Sequence, residues 1–132
     1  MNRTHLEGAA EALAAQQGYA FHTGPEDGMA HTVRSYPAAW LAPLELHAVE
    51  GRGHGRATYD MTLHLLSSGA RLSPTERRAA LARMEEQLLE IFAALSLDER
   101  VLAVEGLSVR PRAFALTPHG EISQTAAARI VT

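Results

Sequence analysis

Ser73-Pro74-Thr75-Glu76 constrains this chain more than any other stretch of it. Ser at the N-cap, Pro in the first turn and Glu three residues after the cap satisfy the free amides of a starting helix reciprocally, so a long helix begins here. With Leu81 placed at 0°, Ile91, Met84, Leu95, Leu88, Phe92 and Leu89 fall within one apolar arc of roughly 160°, wider than the usual stripe of about 100°. One sheet contact does not cover such an arc. Glu85 lies inside it and Leu89 on its shoulder. Two readings follow: a core helix with a snorkelling Glu, or a helix whose shoulder is an oligomer face.

Upstream, a period of two is clearest where Tyr59, Met61, Leu63 and Leu65 alternate with Thr58, Asp60, Thr62 and His64, the pattern of a half-buried strand. Leu44, Leu46 and Ala48 alternate with Glu45, His47 and Val49, and Gly51-Arg52-Gly53-His54-Gly55-Arg56 joins the two runs as a hairpin tip. In Tyr36-Pro37-Ala38-Ala39-Trp40-Leu41-Ala42-Pro43 the two prolines forbid a helix interior and a central strand, so an edge strand or extended crossing is expected. Nearer the start, Thr4-His5-Leu6-Glu7 matches a capping box and predicts a helix from Thr4 to about Gln17, closed by Gly18. Leu6, Ala9, Ala10 and Leu13 share one of its faces, and such small side chains imply close approach to a neighbour. Tyr19 to Thr23 reads as a strand, Pro25 to Gly28 as a loop and Met29 to Ser35 as a short edge strand.

After the long helix, Val101 to Val104, Leu107 to Val109, and Phe114 with Leu116 are short and strand-like, although Val101 to Glu105 fits one helical turn equally well. Thr117-Pro118-His119-Gly120 is a turn, and Glu121 to Val131 alternates, which makes a terminal hairpin. The order predicts a single α+β domain over residues 1–132, a mostly antiparallel sheet of four to five strands with two helices packed on one face. At 132 residues the chain suits one core.

Composition removes several function classes. With no cysteine there is no disulfide framework, thiolate zinc site or cysteine nucleophile. A net charge of −3 without a basic block argues against a large phosphate-binding footprint. All 12 basic residues are arginine and 24 positions are alanine, biases that a GC-rich coding sequence produces by itself. An arginine surface nevertheless suits interface ion pairs better than a lysine one. The first residues contain no apolar run of signal-peptide length, and no apolar stretch approaches the ~20 residues needed to span a bilayer, so a soluble, intracellular chain is expected.

Seven histidines, at 5, 22, 31, 47, 54, 64 and 119, raise the question of a metal. None pairs at i,i+4 on a predicted helix, and Asp60 and His64 on one strand lie ~13 Å apart along it, too far to share an ion. Solvated histidines and no metal are the expectation; His47, Asp60 and His64 mark where a folded site would be sought. Nucleophile elbow, P-loop and dinucleotide motifs are absent, so no catalytic residue and no cofactor are assigned. The candidate contact residues are Arg52, His54 and Arg56 at the hairpin tip, and Arg77, Arg78, Glu86, Leu89 and Glu90 on the long helix. Solubilising charge on a glycine-rich tip accounts for its arginines. As a contact device the tip lacks an aromatic platform for bases and fits a partner protein better than nucleic acid. On the helix, early Arg and late Glu could pair head to tail between subunits.

The layout resembles the tail terminator and tail-completion proteins of long-tailed bacteriophages, the minor tail protein U family. The likeness covers nearly the whole chain. It comprises an N-terminal capped helix, an aromatic-Pro-Ala start to an extended segment at Tyr36-Pro37-Ala38, and the strand Tyr59-Asp60-Met61-Thr62-Leu63-His64-Leu65. A helix after a loop and a closing hairpin complete it. It is a likeness of order, without a diagnostic motif, and the Gly-Arg hairpin departs from it. The resemblance implies a non-catalytic structural subunit of a phage or prophage, found in the virion or the bacterial cytoplasm. Such subunits form a homohexameric ring that stops growth of the tail tube and joins it to the head. The implied partners are further copies, the tail tube and head-tail connector proteins. The competing reading is a small enzyme or ligand-binding domain, which predicts a deep pocket with perturbed titrating groups. The ring reading predicts an exposed sheet edge and an apolar shoulder near Leu89.

Overall fold

The computed structural model describes residues 2–52, 55–112 and 115–132, so the expectations placed on His54 and Phe114 lie outside the described residues. The elements in chain order are α1 (Asn2–Gln16), β1 (Ala20–Thr23), a 3-10 turn (Glu26–Gly28) running into α2 (Met29–Thr32), β2 (Ala38–Leu41), β3 (Glu45–Glu50), β4 (Arg56–Ser67), α3 (Pro74–Ser96), β5 (Ala103–Pro111) and β6 (Ile122–Val131). This is an α+β fold with one mostly antiparallel sheet.

Helix α3 starts where the sequence requires. The Ser73 hydroxyl accepts from the Glu76 amide at 3.1 Å and the Glu76 carboxylate accepts from the Ser73 amide at 3.2 Å. Helix α1 starts earlier than expected, at Asn2, so Thr4 lies inside it and caps nothing. Tertiary contacts extend it: Asn2 Nδ2 donates to Thr132 Oγ1, and the Arg3 guanidinium donates to the Leu44 carbonyl and sits over the Tyr59 ring. Its C-terminus ends as expected. Gly18 adopts φ +88°, its amide donates to Ala15, and the Tyr19 amide reaches back to the Ala14 carbonyl, the bond pair of a Schellman cap.

Among the described residues the sheet has six strands, not four to five, in the order β1-β2-β4-β6-β5, with β3 also on β4. The 12-residue β4 explains the extra strand. One of its edges holds β3 along Arg56–Asp60 and β2 along Leu63–Leu66, while the other pairs with β6 throughout. Among the described residues only β1 and β2 run parallel. Strand β2 is therefore interior, with all four residues buried, which corrects the expected edge position. Pro37 and Pro43 lie just outside the paired residues 38–41, so no ladder donor is lost. Met29–Ser35 is also corrected: it holds the short helix α2 and no strand. The ambiguity at Val101–Glu105 resolves to strand from Ala103.

The sheet carries two cores. On one face α1 and α3 cover Ala39, Leu41, Met61, Leu63, Leu65 and Ile130 with Leu6, Ala10, Met84, Leu88, Ile91 and Phe92. His5 Nε2, 2.8 Å from Asp98, ties α1 to the residues just after α3. On the opposite face, the segment 24–37 and the residues near Leu116 cover a smaller cluster of Met29, Val33, Ala38, Trp40 and Leu66. Among the described residues, no layer covers the rest of that second face, across β3, β4, β6 and β5.

Candidate functional site

The uncovered part of the second face is a charged, open surface. Residues paired directly across an antiparallel ladder share a face, so the register sets Glu45, Asp60, Arg129 and Glu105 in one row across four strands. They border a depression of about 640 Å³ together with Thr62 and Ser108. Asp60 organises it: its carboxylate lies 3.3 Å from His47 Nδ1 and 3.6 Å from Arg129 Nε. His47 reaches Asp60 because it is the extra residue of a bulge between Leu46 and Ala48, which re-aims the strand. The same bulge changes the expected alternation, turning Val49 to the side of Leu46 and Ala48 to the side of Glu45. The His47 and Asp60 side chains are 39% and 41% exposed, so solvent screens the pair to well under about 1 kcal/mol.

His64, expected to be solvated on this face, is fully buried instead. Glu26 and the segment carrying it close over the ring, and such a long-range cover leaves no trace in local alternation. Arg112 Nε donates to Thr125 Oγ1 at 3.1 Å, and Thr125 Oγ1 lies 2.7 Å from His64 Nδ1. Guanidinium is a donor only, so the Thr125 hydroxyl accepts from Arg112 and bridges it to the ring at Nδ1. The far nitrogen of the ring is Nε2. That nitrogen is 3.2 Å from Glu26 Oε1, short of a well-aligned hydrogen bond. Burial holds the His64 pKa below the ordinary histidine value; Glu26 opposes the shift and Arg112 adds to it.

A pH prediction follows. Because the folded value is lowered, the unfolded chain takes up a proton below about pH 6.5 that the folded chain refuses, so stability is full above that pH and declines as pH falls toward the folded value. His64→Gln keeps a neutral, hydrogen-bonding side chain and is expected to lose less of its urea midpoint between pH 7.5 and 5.5 than the parent. Equal losses would assign the decline to other groups.

The expected contact residues fall in two separate places. Arg52 and Arg56 lie exposed at the β3–β4 tip, where Gly51 and Gly55 take positive φ and Gly55 donates to the Arg52 carbonyl. Arg77, Arg78 and Glu86 lie exposed on α3, and Leu89 is 47% exposed on its shoulder. Glu90 is engaged within the chain, accepting from Gln17 Nε2 at 2.6 Å. Glu85 is exposed. The structure does not bring the tip and the helix residues together. Sequence reasoning did not anticipate Arg129, Thr125, Arg112 or Glu26 as partners of Asp60 and His64. A register across β4 and β6 was the missing signal, and only Asp60, His47 and His64 were marked in advance.

Among the described residues no three His, Asp or Glu side chains converge to hold a metal ion, and no helix is long and apolar enough to cross a membrane. No protein-family model matches the chain, and no curated protein is significantly similar to it.

Proposed function

We propose that this chain is a ring-forming structural subunit of a phage or prophage tail, of the tail-terminator kind, without catalytic role or cofactor. It would cap the tail tube and join it to the head, with further copies, tube protein and connector protein as partners, in the virion or the bacterial cytoplasm. The observation that supports this most is the free outer edge of β5, nine residues of strand with no neighbour among the described residues, since unpaired edges are templates for association. Support also comes from the Leu89 shoulder and from the order of elements that the resemblance rests on.

Light scattering coupled to size exclusion, across protein and salt concentrations, tests the reading. A hexamer, or monomers that close into rings as concentration rises, is the expected result. Loss of assembly at high salt would favour the pairing of Arg77 and Arg78 with Glu86 of a neighbour; salt-independent assembly would remove that pairing while keeping the ring. A strict monomer at every concentration would withdraw the support and favour the alternative, a ligand-binding domain, for which the His47–Asp60–Arg129 group in its 640 Å³ depression is the observation in favour.

A further inference from the structure

Strand β5 turns Ser108, Arg110 and the following Arg112 to the open face of the sheet. Ser108 pairs with Ala127 and Arg110 with Thr125, and the Arg112 amide donates to the Ser123 carbonyl at 3.1 Å; residues paired directly across an antiparallel ladder share a face. Together with Pro111, Thr125 and Ala127 these residues line a depression of about 430 Å³. Arg112 is held in a fixed direction there. Its Nε donates to Thr125 Oγ1 at 3.1 Å, which places its guanidinium beside the residue directly opposite Arg110. That bond uses Nε and leaves both terminal nitrogens of Arg112 without a partner among the described residues, where Arg110 also makes no side-chain hydrogen bond or ion pair. The carboxylates in the cover on this side are engaged elsewhere. Glu26 lies 3.2 Å from His64 Nε2, and buried Glu121 accepts from Leu116 and Thr117. Glu105, on the same strand, stands in the row of Arg129 toward the other end of the face.

Two cations side by side in a hollow, with no carboxylate between them, create a positive potential that an anion relieves. The donor set selects the anion. Each guanidinium fork matches oxygens in pairs, and two forks with the Ser108 hydroxyl offer more donors than the two oxygens of a carboxylate can take. A phosphate monoester has three free oxygens and a charge close to −2, which two arginines balance. Through Ser108 and Ala127 the hollow continues into the 640 Å³ depression bordered by Glu45, Asp60 and Glu105. Those small residues leave room for the organic part of an ester to lie along the sheet. At the far end, about 13 Å from Thr125 along β6, the three carboxylates outnumber Arg129 and repel a second phosphate. We propose that Arg110, Arg112 and Ser108 form a binding site for the phosphate group of a small phosphomonoester, with Thr125 as the positioning residue for Arg112. The site lies on the face away from the helices and holds whether or not copies of the chain assemble.

Calorimetric titration of inorganic phosphate into the full chain tests the site, at constant ionic strength and about pH 8, where the dianion dominates. One saturable site with Kd below about 1 mM is expected. Arg110→Ala and Arg112→Ala should each weaken it at least about tenfold, the loss of one charge-assisted contact. Both positions are exposed, so circular dichroism should show both variants folded; Arg110→Gln and Arg112→Gln replace either that is not. Arg83→Ala removes one exposed arginine from α3, on the opposite side of the sheet, and should bind as the parent does. Equal weakening by Arg83→Ala, or no saturable uptake by the parent up to about 10 mM phosphate, would overturn the site. Acetate binding as tightly as phosphate would overturn the assignment to phosphate. Light scattering on the same samples keeps this site apart from the ring: a monomer that binds phosphate supports the site and counts against the ring, and a ring that binds none does the reverse.

Discussion

Trp40→Ala should lower the unfolding free energy by roughly 3–5 kcal/mol, the cost of emptying a large aromatic site that cannot collapse. Trp40 is 2% exposed on an interior strand, and it supplies most of the bulk of the second, smaller core. Its indole Nε1 donates to the Gly24 carbonyl at 2.9 Å, and its ring stacks against His22 at a centroid distance of 6.1 Å. One substitution therefore removes the packing surface for Met29 and Val33 and the anchor that fixes the start of the covering segment. The α2 helix has four residues, too few to hold itself without that surface. Against a total stability of roughly 5–15 kcal/mol for a domain this size, the variant should be partly unfolded at 37 °C. Urea titration followed by far-ultraviolet circular dichroism is the suitable readout, because the substitution removes the chain's one tryptophan. A loss below about 1.5 kcal/mol, the range of a well-relaxed swap, would mean that the second face is not packed around Trp40.

Glu121→Ala should cost roughly 2–4 kcal/mol, because a buried carboxylate that accepts several hydrogen bonds leaves its donors unpaired when removed. Glu121 is 3% exposed and accepts from the Leu116 amide at 2.6 Å, the Thr117 amide at 2.9 Å and the Thr117 hydroxyl at 2.6 Å. Those bonds fold residues 116–121 into the turn that brings Leu116 onto the second core. Glu121→Gln keeps one acceptor oxygen for the two amides and should lose about half as much. A loss under about 1 kcal/mol for the alanine variant, with no difference from glutamine, would show that the turn stands without its carboxylate. Both substitutions act on the cover of the second face and leave the β3–β4 hairpin and the β5 edge intact. A folded fraction of either variant should therefore elute from size exclusion where the parent does.

Several elements were legible because their hydrogen bonds or periods close within a few residues. The Ser73–Glu76 cap spans three residues, the Gly18 cap spans five, and the turn at Thr117–Gly120 with its glycine at φ +72° is equally local. Alternation along residues 58–65 assigned the helix-facing side of β4 correctly, and the arc of α3 named the residues that became its core. Of the candidate contact residues, those described were placed on the surface, as their charge and spacing suggested.

Tertiary structure decided everything that depends on what lies across a face or beyond an edge. Period two says that Thr58, Asp60, Thr62 and His64 share a side; it carries no information on whether that side is wet. Asp60 is half-open to solvent while His64 is fully buried, because residues 24–37 and 115–121 cover one end of the strand and stop short of the other. The bulge at His47 depends on how β3 meets β4, and that one extra residue decided that Leu46 and Val49 share a face. Strand β2 became interior because long β4 had an edge to spare beyond β3, a matter of strand length that no proline pattern records. Local backbone bonding and side-chain period are properties of a short run of residues, so the sequence alone determined helix ends, hairpins and inward faces. Coverage of a face and the neighbours of an edge are set by contacts between residues dozens of positions apart, and only the folded chain brings those together.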